Sequence, residues 1–92
     1  MKVVLQGHII VPQADLGVVE AALSEHVQLT RQEAGCICFE VTRDDKQPNR
    51  FNVYEEFTDR SAFERHQRRV RCSEWGEVTK NVTRDYQVQG LE

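Results

Sequence analysis

Two side chains capable of acid–base chemistry lie eleven positions apart in the sequence, Glu55 and His66. Phe51, Val53 and Glu55 are each two positions apart, which is the spacing of side chains on one face of a β-strand. His66 precedes Val70 by four positions, so both fall on one apolar stripe of a helix. If the helix packs back on the strand, the carboxylate and the imidazole meet in a semi-buried space. Because histidine titrates near neutral pH and a neighbouring carboxylate can orient it, the pair predicts general acid–base catalysis.

The pair also has a structural interpretation, in which Glu55 bonds to His66 only to satisfy two buried polar groups. The other two histidines have weaker claims to chemistry. His8 interrupts one face of an apolar strand and is interpreted as a partly exposed or interface residue. His26 lies at the edge of a helical stripe and is interpreted as a helix-flank residue.

Apolar alternation and helical periodicity predict the element order β-α-β-β-α-β. The predicted strands cover residues 3–11, 36–43, 51–57 and 81–89. One helix runs from an N-cap at Asp15 to Glu33, and another follows Asp59, with a further short turn through Lys80. This order predicts an α+β fold, a ferredoxin-like sandwich with both helices on one face of an antiparallel sheet. We expect a single domain over residues 1–92.

The first strand is apolar on both sides, which predicts that both sides of the sheet are covered. Val3 and Leu5 mark one side, and Val4 and Ile10 the other. A chain of 92 residues also has a small core. Packing two sheets face to face would address both problems, so we predict a homodimer.

Composition excludes several classes of protein. The net charge of −3 argues against a nucleic-acid binder, and no apolar run approaches the length of a membrane span. The first residues are typical of a strand rather than a signal peptide. Three cysteines without framework spacing favour reduced thiols and a cytoplasmic location. Cys36 and Cys38 are expected on one face of a strand, too far apart for an easy disulfide and too few for a metal site.

Four stretches of the sequence carry a family resemblance: residues 34–41, 54–57, 62–66 and 85–88. Through them the chain resembles the antibiotic biosynthesis monooxygenase family, which includes quinol monooxygenases and other dimeric α/β-barrel proteins. The resemblance spans nearly the whole chain, and the separation of Glu55 and His66 is similar to the Glu-to-His spacing of the family. The chain departs from many relatives at residues 72–75, where it has no second histidine on the helix.

The resemblance implies a cofactor-independent monooxygenase that oxidises a small phenolic, quinol or anthrone-type aromatic with O₂. His66 and Glu55 would be catalytic. A pocket for the aromatic substrate would consist of Phe39, Asn52, Val53, Tyr54, Phe63 and Trp75, and Arg69 would reach an acidic group of the ligand. The sequence has no phosphate-binding or dinucleotide motif and no zinc spacing, so we expect no cofactor and no metal.

Other functions on this fold use the same residues. An isomerase or degradative enzyme acting on a small carbonyl compound would use His66 and Glu55 without O₂. A non-catalytic ligand-binding module is a further alternative, since fold does not fix function. A haem-degrading relative is disfavoured because Trp75 follows His66 and the first strand contains no asparagine.

Overall fold

The chain folds as a four-stranded antiparallel sheet with helices packed on one face. A computed structural model describes residues 1–91. The strands are β1 (Val3–Ile10), β2 (Cys36–Arg43), β3 (Arg50–Phe57) and β4 (Thr83–Gln89), in the sheet order β2-β3-β1-β4. The helices are α1 (Leu16–Arg31), α2 (Arg60–Arg71) and α3 (Glu74–Val78). The predicted ferredoxin-like α+β fold is confirmed. The single-domain prediction extends to Glu92, which lies outside the described residues.

Capping chemistry sets two of the three helix starts. The Asp59 side chain accepts a hydrogen bond of 2.8 Å from the amide of Ala62 at the start of α2, as an N-cap does. Ser73 caps α3 in the same way, through a 3.2 Å bond from the Gly76 amide. α1 instead continues from a 3₁₀ turn, and Asp15 makes no side-chain capping bond within residues 1–91. Asp15 thus occupies the predicted N-cap position of α1 without making the capping bond.

The core lies between the sheet and the helices. Along β3, Phe51, Val53, Glu55 and Phe57 are buried, and the residues between them are half-buried. Strand alternation thus places a carboxylate on the helix-facing side of the sheet, between apolar neighbours. Across residues 1–91, no helix combines the length and the apolar character needed to cross a membrane.

Strand β2 contains a β-bulge that the sequence pattern does not show. Cys36 pairs with Phe57 but Cys38 pairs with Glu56, so the register shifts between the two cysteines. Because Phe57 and Glu56 point to opposite faces, Cys36 and Cys38 do too, and the prediction that they share a face is wrong. Ile37, between the two cysteines, is 51% exposed.

The second face of the sheet is the open face. On β1 it carries Val4 and Ile10, which are half-buried, with Gln6 and His8 between them. A shallow depression in this face is lined in part by His8 and Asn52. The open face is thus more polar than the apolar pattern of the first strand indicated.

Candidate active site

The predicted acid–base pair lies between α2 and β3. His66 is 3% exposed and Glu55 is 6% exposed. Nε2 of His66 lies 3.8 Å from Oε1 of Glu55, which is beyond hydrogen-bonding distance. Oε1 of Glu55 has no hydrogen-bond partner in the described part of the chain. The structure therefore brings the two groups together without bonding them to each other.

Glu33, which follows the end of α1, is the hydrogen-bond partner of His66. Its Oε1 lies 2.9 Å from Nδ1 of His66, and its other oxygen pairs with the guanidinium of Arg69. Arg69 also donates a 3.0 Å hydrogen bond to the hydroxyl of Thr30. The carboxylate that pairs with Arg69 accepts the proton of Nδ1–H, so Nε2 keeps its lone pair. This tautomer presents a basic nitrogen towards Glu55.

Aromatic rings enclose His66. The ring centroids of Phe57 and Phe39 lie 5.0 and 5.7 Å from that of His66. Phe39 also contacts the ring of His26. The ring of His26 stacks on that of Trp75, with 4.4 Å between the ring centroids and an interplanar angle of 5°. The ring of Trp75 thus belongs to the same aromatic cluster but contacts His26.

The other predicted site residues divide into three groups. Phe63 and Val53 are buried in a hydrophobic core cluster, where Phe63 packs on Phe57 at 5.8 Å. Arg69 was expected to reach an acidic group of a ligand, but the carboxylate of Glu33 already engages its guanidinium. In the described part of the chain the partner of Arg69 is internal, and contact with a ligand stays a prediction.

Asn52 and Tyr54 do not join this cluster. They alternate with Val53 and Glu55 along β3, so their side chains lie on the open face of the sheet. There Asn52 donates to Asp44, and Tyr54 bonds to Glu56. The expectation that Asn52 and Tyr54 share a pocket with His66 therefore needs correction.

Sequence reasoning missed Glu33 and misplaced His26. His26 was interpreted as a helix-flank residue, but it is 5% exposed and faces the core. His26, Thr30 and Glu33 follow one another at spacings of four and three, which is one stripe of a helix. His26 and Thr30 are buried, and Glu33 is half-buried just past the end of α1, so this spacing is the signal that could have identified both residues.

Burial changes the protonation of this cluster. Loss of solvent raises the pKa of Glu55 to about 8, and the negative charge of Glu33 adds to the shift. Burial also lowers the pKa of His66, with Glu33 opposing that shift. For His26, burial lowers the pKa to about 3, and the charges of His66 and Arg69 contribute. At neutral pH the site therefore holds a protonated Glu55 beside a neutral His66, which is one donor beside one acceptor.

We expect the free energy of unfolding to fall as the pH rises above 6.5, because of Glu55. The stabilisation from protonated Glu55 is full below its ordinary pKa of 4.5 and is lost as the pH rises through about 8. His26 acts in the opposite sense: its contribution is present above 6.5 and is lost as the pH falls towards about 3. Below 6.5 the lowered pKa values of His26 and His66 oppose the effect of Glu55, and above 6.5 neither histidine contributes, so the loss above 6.5 isolates Glu55. Urea unfolding at about pH 6.5 and pH 8 should differ by at most about 2 kcal/mol.

Two variants test the origin of this pH dependence. Glu55→Gln should remove the loss of stability above pH 6.5, because the amide does not ionise. Glu56→Gln, at the neighbouring position on the open face, is the matched control and should retain the loss. A wild-type slope in Glu55→Gln would show that Glu55 is already ionised in the folded protein.

Comparison with known proteins identifies the family. Residues 3–78 match the family model of antibiotic biosynthesis monooxygenases. No curated protein matches the sequence. Among solved structures, a Nitrosomonas europaea protein named as a candidate antibiotic biosynthesis monooxygenase superposes with a TM-score of 0.83 at 17% identity, over 97% of this chain and 88% of that one. A Deinococcus radiodurans protein named in the same way gives 0.75 at 22% identity, over 98% and 92% of the two chains. Since the family model covers most of the chain and the solved relatives share its fold, the chain belongs to the antibiotic biosynthesis monooxygenase family.

Proposed function

We propose that this protein is a monooxygenase that oxidises a small phenolic, quinol or anthrone-type aromatic with O₂ and uses no cofactor. One observation carries the proposal. The neutral imidazole of His66 is bonded to Glu33 at Nδ1 and presents Nε2 beside Glu55, inside an enclosure of aromatic rings. An enclosure of this kind suits an apolar aromatic substrate, and the base it contains suits a substrate that must lose a proton to react.

The reaction begins with proton transfer. Nε2 of His66 takes a proton from an acidic C–H or O–H of the substrate, and the negative charge of Glu33 stabilises the imidazolium that forms. The electron-rich anion transfers electrons to O₂, and a new C–O bond gives a hydroperoxide, which receives the proton back. For an anthrone-type CH₂ group, loss of water then leaves a C=O group. One oxygen atom enters the product and the other leaves as water. The four electrons lost by carbon reduce O₂, so the reaction needs no external reductant.

Glu55 has a separate part in this scheme. Its carboxyl group is protonated at neutral pH, and Oε1 has no partner within residues 1–91. A protonated, unpaired carboxyl group can donate a hydrogen bond to the substrate oxygen on which negative charge develops. Glu55 therefore acts as the donor and His66 as the base.

Oxygen consumption tests the proposal and separates it from its main alternative. Purified protein is incubated with hydroquinones and anthrones while an electrode follows O₂ against a buffer blank. We expect one O₂ consumed per anthrone converted to the quinone. An isomerase using the same acid–base pair would consume no O₂. Uptake no faster than the blank with every compound would contradict the proposal.

We further propose a homodimer in which the open faces of two sheets pack together. Family membership and the half-buried Val4 and Ile10 on this face support it. Sedimentation equilibrium at micromolar concentration should give twice the chain mass. Ile10→Arg should shift the equilibrium to the monomer, because a charge would be buried between the sheets. Val18→Arg, at an exposed position on α1, is the control and should remain dimeric. A monomer mass for the wild type would refute the dimer.

A further inference from the structure

His66 and Glu55 are closed to solvent, so a substrate can reach them only through an opening between the surrounding side chains. A cavity of about 20 Å³ lies among α1, α3 and the end of α2, with His26, Arg69 and Trp75 in its lining. This volume holds about one water molecule. The ring of Phe39 lies 5.3 Å from that of His26 and 5.7 Å from that of His66. The cavity therefore adjoins the aromatic enclosure of His66.

His26 is an unusual residue to find in this wall. It is 5% exposed, and its Nδ1 is buried with no hydrogen-bond partner in the described part of the chain. Buried polar atoms are paired in the great majority of native proteins, so an exception requires an explanation. A phenylalanine would fill the same space without an unpaired nitrogen. The choice of an imidazole indicates a ligand rather than packing.

The indole ring of Trp75 stacks on the imidazole ring of His26, as an aromatic ligand would. The two rings are nearly parallel at 4.4 Å, which is a stacking geometry. Trp75 lies on α3, a helix of five residues without a buried side chain. An element with few buried side chains opens at a lower free energy than a core helix. Movement of α3 would expose the face of His26 and leave a slot beside Phe39.

We propose that the face of the His26 imidazole is the binding platform for the aromatic ring of the substrate, and that Trp75 occupies this position in the free protein. The proposal rests on the proposed function for the class of ligand. The charged side chains around the cavity indicate which aromatic ligands it can bind. Glu25 and Glu74 contribute to the lining, and Glu33 already engages Arg69. The site therefore takes a flat, neutral phenol and disfavours an aromatic carboxylate.

Binding under nitrogen tests the platform without any oxidation. Trp75 is the sole tryptophan of the chain, so its indole N–H signal in a nitrogen-edited NMR spectrum reports on this site. Titration with 1-naphthol should shift that signal saturably. The matched anion, 1-hydroxy-2-naphthoate, should bind about 2- to 5-fold more weakly, because two exposed carboxylates line the cavity. Equal binding of both compounds would overturn the assignment of ligand class.

Variants at the two stacked positions give results of opposite sign. Trp75→Ala should bind 1-naphthol about 3- to 10-fold more tightly in calorimetry, because the competing ring is gone. His26→Leu should bind it more weakly by a similar factor, whereas His26→Phe keeps a ring face but loses Nδ1, so its affinity should lie between those of His26→Leu and the wild type. Weaker binding by Trp75→Ala would show that Trp75 is a fixed pocket wall. Wild-type binding by His26→Leu would remove the platform.

The failure of this inference can be told apart from the failure of the proposed function. If 1-naphthol binding depends on His26 but no O₂ is consumed with any substrate, the platform stands and the oxidation fails. If O₂ is consumed while His26→Leu changes neither Kd nor KM, the platform fails alone. Circular dichroism confirms that each variant is folded before its binding is measured.

Discussion

Replacing His66 with alanine should lower the turnover of the O₂-dependent oxidation by about 10²- to 10⁴-fold. The imidazole is the basic group presented to the enclosure, and its Nδ1 is held by Glu33 at 2.9 Å. Without it the substrate must lose its proton to water, which the enclosure excludes. Glu55 cannot replace the lost base at neutral pH, because burial raises its pKa to about 8 and keeps it protonated. Oxygen uptake at saturating substrate measures the effect.

The variant His66→Gln distinguishes loss of the basic nitrogen from loss of the volume of the side chain. The amide retains hydrogen bonding towards Glu33 but has no basic nitrogen, so this variant should fail nearly as badly as the alanine variant. Gln67→Ala, at the next position of α2, is the control and should turn over at the wild-type rate. If both His66 variants fold and oxidise substrate normally, His66 is a packing residue.

The topology and the burial of the pair followed from local patterns in the sequence. Strand alternation placed Glu55 on the helix-facing side of β3, and the helical period placed His66 on the buried stripe of α2. Both patterns are properties of one element, so they need no knowledge of tertiary contacts. The same alternation excludes Asn52 and Tyr54 from the buried face, and a strict use of it would have prevented that error.

The hydrogen-bond partner of His66 depends on a contact between distant elements. Glu33 and His66 are 33 positions apart, and their meeting depends on how the end of α1 lies against α2. No periodicity within either helix fixes that relation. The sequence pattern did not predict the bulge at Ile37 for a similar reason, since the bulge arises from the pairing of β2 with β3. Sequence patterns therefore placed Glu55 and His66 on the buried faces of their elements, whereas tertiary packing made Glu33, and not Glu55, the hydrogen-bond partner of His66.

Replacing Glu33 with glutamine should lower turnover by roughly 10²-fold while the protein remains folded. A carboxylate can only accept a hydrogen bond, so it keeps the proton of His66 on Nδ1 and leaves Nε2 basic. An amide can also donate to Nδ1, which moves the imidazole proton to Nε2 and removes the base. The variant also loses the negative charge that stabilises the imidazolium, and the guanidinium of Arg69 stays nearby without its carboxylate.

The pH profile distinguishes this positioning role from a purely structural one. Glu33 raises the pKa of His66 against the effect of burial, so its neutralisation should lower that pKa further. The acid limb of kcat/KM should therefore move to lower pH in Glu33→Gln, even as the plateau falls. Glu33→Asp keeps the negative charge, so the acid limb of its profile should lie nearer the wild-type pH. Glu40→Gln, on the exposed side of β2, is the control and should leave the whole profile unchanged. An unshifted limb with near-normal turnover in Glu33→Gln would mean that the bond to His66 only satisfies two buried groups, and another group would then have to set the tautomer of the base.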